Sequence, residues 1–203
     1  MKFKALLAFI AILTSINSFA QGGRSSKKGF YFSLAAKAML GTTASADNES
    51  VESRSSYVYG GETVIGMTFS SFLIGVAGEY NLWKQKTKPS EVSDTNTSGS
   101  QINMAPVLGM AFSRFLLTFK PYIYSTFAFI KEDASGNELS FKSPSFPSYG
   151  IQLSYRLGTN SFIGVEYSKV EYKTYVSDGV EAALSDDAKT TFSGMGLVYG
   201  FKF

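Results

Sequence analysis

Every second residue near the end of the chain is large and apolar: Met195, Leu197, Tyr199, Phe201 and Phe203. Between them stand Gly194, Gly196, Val198, Gly200 and Lys202. A strand sends successive side chains to opposite faces, so 191–203 reads as a strand with one bulky apolar face and one almost bare face. The same period of two recurs upstream. Phe32, Leu34, Ala36, Ala38 and Leu40 oppose Tyr31, Ser33, Ala35 and Lys37, and Tyr59, Ile65, Met67 and Phe69 (in 57–69) oppose Glu62, Gly66 and Thr68. In 72–83, Phe72, Ile74, Val76, Tyr80 and Leu82 oppose Gly75, Ala77, Glu79 and Asn81. In 102–112, Ile102, Met104, Leu108, Met110 and Phe112 oppose Asn103, Ala105, Gly109 and Ala111.

The fifth segment, 115–129, places Leu117, Phe119, Ile123, Phe127 and Phe129 opposite Thr118, Lys120, Tyr122, Tyr124 and Thr126. The sixth, 148–157, sets Tyr149, Ile151, Leu153, Tyr155 and Leu157 against Gln152, Ser154 and Arg156. In the seventh, Ile163, Val165 and Tyr167 oppose Gly164, Glu166 and Ser168. Pro106 and Pro121 lack a ladder donor, so both strands that carry them are expected to bulge or kink there.

Eight such segments are joined by connections that alternate between long (41–56, 84–101, 131–147, 173–189) and short (70–71, 113–114, 158–160). This pattern predicts an all-β, eight-stranded antiparallel up-and-down transmembrane β-barrel, with brief turns at one end and long loops at the other. Aromatics gather at strand ends. Phe30, Phe69, Phe72, Phe112, Phe115 and Phe203 are expected at the turn end, and Tyr57, Tyr59, Tyr80, Phe129, Tyr149 and Tyr167 toward the loop end. Such belts suit the two membrane interfaces. A soluble barrel with its apolar face inward would need an outer face dense in charge. The second face here is instead mostly Gly, Ala and Ser with about one charge per strand, which suits a narrow interior.

Residues 1–20 read as a cleavable export signal: Lys2 and Lys4, an apolar core over 5–13, and Ser18-Phe19-Ala20 before the cut. Residues 21–28 are a flexible lead-in, and 29–203 form the barrel domain. The absence of cysteine excludes a disulfide and a lipoprotein anchor at the cut. Of 19 basic side chains two lie in the leader, leaving 17 against 16 acidic. That near balance gives no reason to expect a nucleic-acid partner.

The ionisable groups on the second face are Lys37, Glu62, Glu79, Lys120, Arg156, Glu166 and Lys202. Four cations and three anions can nearly neutralise one another, since buried charge is tolerated when paired. Two readings follow: an ion-pair network that plugs the barrel, or the polar lining of a narrow water path. Small inward residues (Gly66, Gly75, Ala77, Gly109, Gly164, Gly196) leave room that water could fill. With no histidine in the chain, a serine–histidine or histidine–acid catalytic pair is excluded, as is a histidine or cysteine metal site. Asp47-Asn48-Glu49 and Asp186-Asp187 offer weak surface positions for a divalent cation, with solvated loop as the preferred reading. The expectation is a non-enzyme without cofactor or metal.

A terminal strand of this kind, closing on Phe203, resembles that of bacterial outer-membrane β-barrels. The chain is similar in pattern to the small eight-stranded group that includes the OmpA transmembrane domain, OmpX-like and OmpW-like proteins. The resemblance implies that Met195, Leu197, Tyr199, Phe201 and Phe203 act as the signal read by the barrel-assembly machinery. It implies an outer-membrane location with loops extracellular and both termini periplasmic, among outer-membrane lipid and lipopolysaccharide. It also implies a structural and surface-interaction role, with an external ligand or cell-surface partner, or alternatively a small passive channel. The resemblance is to the barrel alone, and the wall-binding domain of full-length OmpA-type proteins is not expected after the last strand. The charged second face departs from the more apolar lumen of the OmpW type.

Overall fold

The computed structural model of the protein describes residues 28–47, 50–85, 98–130, 138–144, 147–177, 180–183 and 190–203. The predicted leader (1–20) and most of the lead-in therefore lie outside the described residues, as do Glu49, Asp186 and Asp187. Within the described residues there are strands and no helix: β1 (Lys28–Asp47), β2 (Ser50–Phe69), β3 (Phe72–Gln85), β4 (Ser98–Phe112), β5 (Phe115–Pro121), β6 (Tyr124–Ile130), β7 (Glu138–Pro144), β8 (Tyr149–Arg156), β9 (Ser161–Ser177), β10 (Val180–Ala183) and β11 (Thr190–Lys202).

All pairings are antiparallel and consecutive round the ring, and the ring closes because β11 pairs with β9 on one side and with β1 on the other. The two halves β5/β6 make one wall and β7/β8 another, so the molecule is a closed eight-stranded barrel. The seam extends past the last strand: Phe203 N donates to Phe32 O (2.8 Å) and the two rings lie 5.6 Å apart. Two of the short turns are two-residue hairpins, Phe69↔Phe72 and Phe112↔Phe115. In each the first central residue is left-handed, Ser70 at φ 58° and Ser113 at φ 55°, which matches the turn's twist to that of the strands.

Burial is inverted relative to a soluble domain. Leu40, Ile74, Val76, Leu108, Met195 and Leu197 are more than half exposed on the outer wall, while Lys37, Glu62, Glu79, Lys120 and Glu166 are buried within. A closed sheet leaves no unpaired edge for lipid to meet, and the exposed apolar belt faces hydrocarbon.

All four of the predicted long loops prove shorter than their composition suggested; in the expected 84–101 loop, β3 runs on to Gln85 and β4 begins at Ser98. The β1–β2 ladder continues to Asp47↔Ser50, through most of the expected 41–56 loop. β7 lies within the expected 131–147 loop, and β9 and β10 pair within the expected 173–189 loop. Outside the membrane both faces of a strand meet water, so the apolar period vanishes while the backbone ladder goes on.

The two prolines behave differently. Pro106 pairs with Val76 in an unbroken β3–β4 register. On the other side of β4, the register runs Leu108↔Phe119 with β5 but Met104↔Tyr124 with β6. One extra residue is thus accommodated around Pro121, opposite Pro106, as a bulge.

Candidate functional site

The bulge at Pro121 sets which side chains enter the barrel. Thr118, Lys120 and Tyr122 point inward up to the change of parity; beyond it Ser125 and Phe127 do, and Tyr124 is half exposed outside. This corrects the expected placement of Phe127 on the lipid side and of Tyr124 and Thr126 in the lumen. An inserted residue flips every side chain beyond it, because the period is two.

At mid-height, five of the seven predicted lumen charges meet. Glu62 and Glu79 face each other across β2 and β3. Lys37 Nζ lies 2.9 Å from Glu62 Oε2, 3.1 Å from Glu79 Oε1 and 2.7 Å from Glu166 Oε1. Lys120 Nζ contacts Glu62 and lies 2.8 Å from both Glu79 Oε1 and Glu166 Oε2. Each ammonium therefore bridges three carboxylates, and each carboxylate touches both ammoniums. Tyr122 Oη and Asn103 Nδ2 donate to Glu79 Oε2 at 3.1 and 3.3 Å. Buried charge of this density is tolerable only because nearly every donor and acceptor is matched. Carboxylate oxygens of Glu62, Glu79 and Glu166 all fall within 4.8 Å of one another, close enough to share a cation. The two ammoniums already supply positive charge at that place.

Toward the loop end, a hydrogen-bond chain leads up from this layer. Ser125 Oγ donates to Asn103 Oδ1 (2.6 Å) and shares a 2.6 Å bond with Tyr172 Oη. Gln101 Nε2 donates to Tyr172 Oη (3.1 Å), and Trp83 Nε1 donates to Gln101 Oε1 (3.2 Å). Around these atoms the lumen is packed with rings. Phe127 and Phe192 stack at 4.2 Å, and Trp83 and Tyr172 meet Phe192 edge-on at 5.5 and 5.4 Å. Phe141, Met39, Val58 and Val170 complete this buried layer. Toward the turn end a second apolar layer holds Tyr31, Val64, Leu73, Ala77 and Val107 against Leu116.

The small inward residues are seats, not space. A Cβ at Gly41 would lie 2.3 Å from the Trp83 ring, one at Gly99 2.5 Å from the Phe127 ring, and one at Gly200 2.5 Å from the Phe162 ring. Likewise Gly196 lies under Met39 and Gly109 under Leu73, while Gly66 and Gly75 face each other at close backbone approach. Between the ion pairs and the lower apolar layer there remains a void of about 10 Å³, roughly one water probe.

Arg156 and Lys202 stand apart from the network, which corrects their predicted membership. Both point into the barrel's turn-end mouth, Arg156 exposed and Lys202 half-buried with its ammonium 5.2 Å from the Tyr31 ring centroid. Periodicity assigns a side to each residue; the height at which facing strands meet is set by register. Trp83, Tyr172 and Phe192 escaped prediction although each continues an inward list by one or two steps, from Asn81, Ser168 and Gly194. On the outer wall Met195, Leu197, Tyr199 and Phe201 are exposed, as their alternation required.

Charge held inside a closed antiparallel barrel and an apolar belt outside it define a transmembrane β-barrel. Residues 6–201 match the outer membrane protein β-barrel domain, and the chain belongs to that family. No curated protein sequence matches the chain. Among solved structures, Neisserial surface protein A is similar at 10% identity and a TM-score of 0.51, over 85% of this chain and 98% of that one. Ail, the attachment invasion locus protein of Yersinia pestis, is similar at 13% identity and a TM-score of 0.46, over 85% and 98%. The outer membrane protease OmpT from Escherichia coli gives 8% identity and a TM-score of 0.42, over 91% and 99%.

Proposed function

We propose that this outer-membrane barrel is a non-conducting, non-enzymatic display scaffold, and that its work is done by the segments beyond the membrane at the loop end. The observation that carries this reading is the filled lumen: an aromatic layer, an ion-pair layer and an apolar layer stacked along one axis. A conducting path needs a continuous wet track, and here each layer interrupts it. The plug also supplies rigidity, since each ammonium ties strands from opposite walls. The β1–β2 hairpin supports the display role. Each of its strands has 20 residues, about twice the 9–11 that cross a bilayer. It therefore carries a paired, polar ribbon well past the apolar belt.

In this reading the loop end is extracellular, among lipopolysaccharide and partner surfaces, and both termini are periplasmic. Met195, Leu197, Tyr199, Phe201 and Phe203 present the closing strand to the assembly machinery. The chain has no histidine to act as a base, and the five ionisable groups of the mid-lumen engage one another, which supports the non-enzymatic reading. The test is single-channel recording of the refolded protein in a planar bilayer, with folding checked by heat-modifiable migration. A silent bilayer is expected. Reproducible openings that change on Lys120→Met would replace the scaffold reading with that of a narrow charged channel.

A further inference from the structure

The turn-end mouth holds a second, separate assembly of charge. A blind cup of about 170 Å³ opens there, rimmed by Arg114, Arg156 and Lys202. Its floor is apolar, formed by Tyr31, Leu73, Leu116 and Phe162, so it does not connect with the ion pairs above. No aspartate or glutamate lines it, and among the described residues no ion pair engages any of the three cations. Arg114 makes one long hydrogen bond, Nη1 to Tyr155 Oη at 3.4 Å. Three positive groups thus converge without a counter-charge, where the mid-barrel ammoniums have three carboxylates each.

The rim is also built. Backbone hydrogen bonds tie its turns together in pairs: Ala111 N to Ser71 O (2.6 Å), Arg156 N to Arg114 O (2.8 Å) and Lys202 N to Asn160 O (2.7 Å). Ser71, Ser154 and Thr159 line the same cup. From this arrangement we infer that the turn-end cup binds a phosphate group. A carboxylate satisfies one guanidinium fork and leaves two cations uncompensated. A phosphate offers more acceptor oxygens and up to two charges, which two arginines and a lysine with nearby hydroxyls can share. The phosphate is carried either by a phospholipid headgroup of the adjoining leaflet or by a small soluble phosphate compound. Neither source depends on whether the lumen conducts.

The experiment starts with protein refolded in a neutral, phosphate-free maltoside detergent and ¹⁵N-labelled at arginine. Inorganic phosphate is titrated in while the Nε–H signals of Arg114 and Arg156 are followed, with acetate at equal ionic strength as the comparison. Saturable shifts with phosphate are expected, weakened about tenfold or more in the Arg114→Gln/Arg156→Gln protein. The same signals are then read in phosphatidylglycerol nanodiscs without inorganic phosphate. Signals already at the bound position assign the site to the headgroup; free positions that shift on added phosphate assign it to a soluble ligand. The inference is overturned if phosphate moves neither signal in detergent, if acetate binds equally well, or if the double variant binds like the parent. Wild-type titration alone decides the first two points, so a variant that fails to refold does not rescue the idea.

Discussion

The middle of the lumen and its turn-end mouth are lined by the same kind of residue, inward-pointing cations from strands that are not neighbours, yet they meet opposite fates. Lys37 and Lys120 are buried and each is shared by three carboxylates. Arg156 and Lys202, with Arg114 from a turn, sit where water reaches and where no carboxylate lines the wall. The difference teaches that direction and height are separate properties. Two-residue periodicity sends a side chain into the barrel; only the stagger of neighbouring strands decides what it meets there. Where it meets compensating charge the result is structure, and where it does not the result is a surface open to a ligand.

The sharpest way to break this comparison is to remove one mid-lumen cation. Lys120→Met should cost roughly 3–5 kcal/mol, because three carboxylates are left around a single ammonium. Urea unfolding in vesicles measures it, and adding Glu166→Gln, which restores the original charge balance, should recover part of the loss. A wild-type unfolding midpoint for Lys120→Met would show that the ion-pair layer contributes nothing to the fold.

A smaller loss is expected where the aromatic layer rests on a missing side chain. Gly99→Ala brings a methyl group into the Phe127 ring, which should cost about 1–3 kcal/mol as overpacking. Combining it with Phe127→Leu should give less than the sum of the two single losses. Additive losses would mean that the two sites do not touch. At the mouth, Arg156→Gln should leave stability within about 0.5 kcal/mol of the parent, as exposed, unpaired positions do. A loss as large as that of Lys120→Met would place Arg156 in the structural network after all.

Much of the barrel was legible from the chain because lipid imposes a strict rule on one face of every spanning strand. The turns at 70–71 and 113–114, the closing strand, and the side taken by Lys37, Glu62, Glu79 and Glu166 all follow from counting by two. The count failed where it passed an insertion. Pro121 signalled a bulge, but the parity change it causes moved Phe127 from the outer wall to the core and Tyr124 the other way. It also lost its signal where lipid ends, so Phe141 lay hidden in an apparent loop although its strand is paired on both sides. The glycines misled for a related reason. A bare position reads as space in one strand, whereas in the barrel Gly109 lies against Leu73 and Gly196 against Met39, each from a neighbouring strand.

By itself, then, the amino-acid pattern determined an eight-stranded transmembrane barrel, its outward belt and the identity of its inward charges, since each strand carries its own two-sided record of lipid and lumen. Only the tertiary structure decided that five of those charges close into one cage, that rings fill the space above it, and that two charges remain at a separate cup below. Those outcomes depend on register and shear between strands distant in sequence, and no single strand encodes the height at which another will meet it.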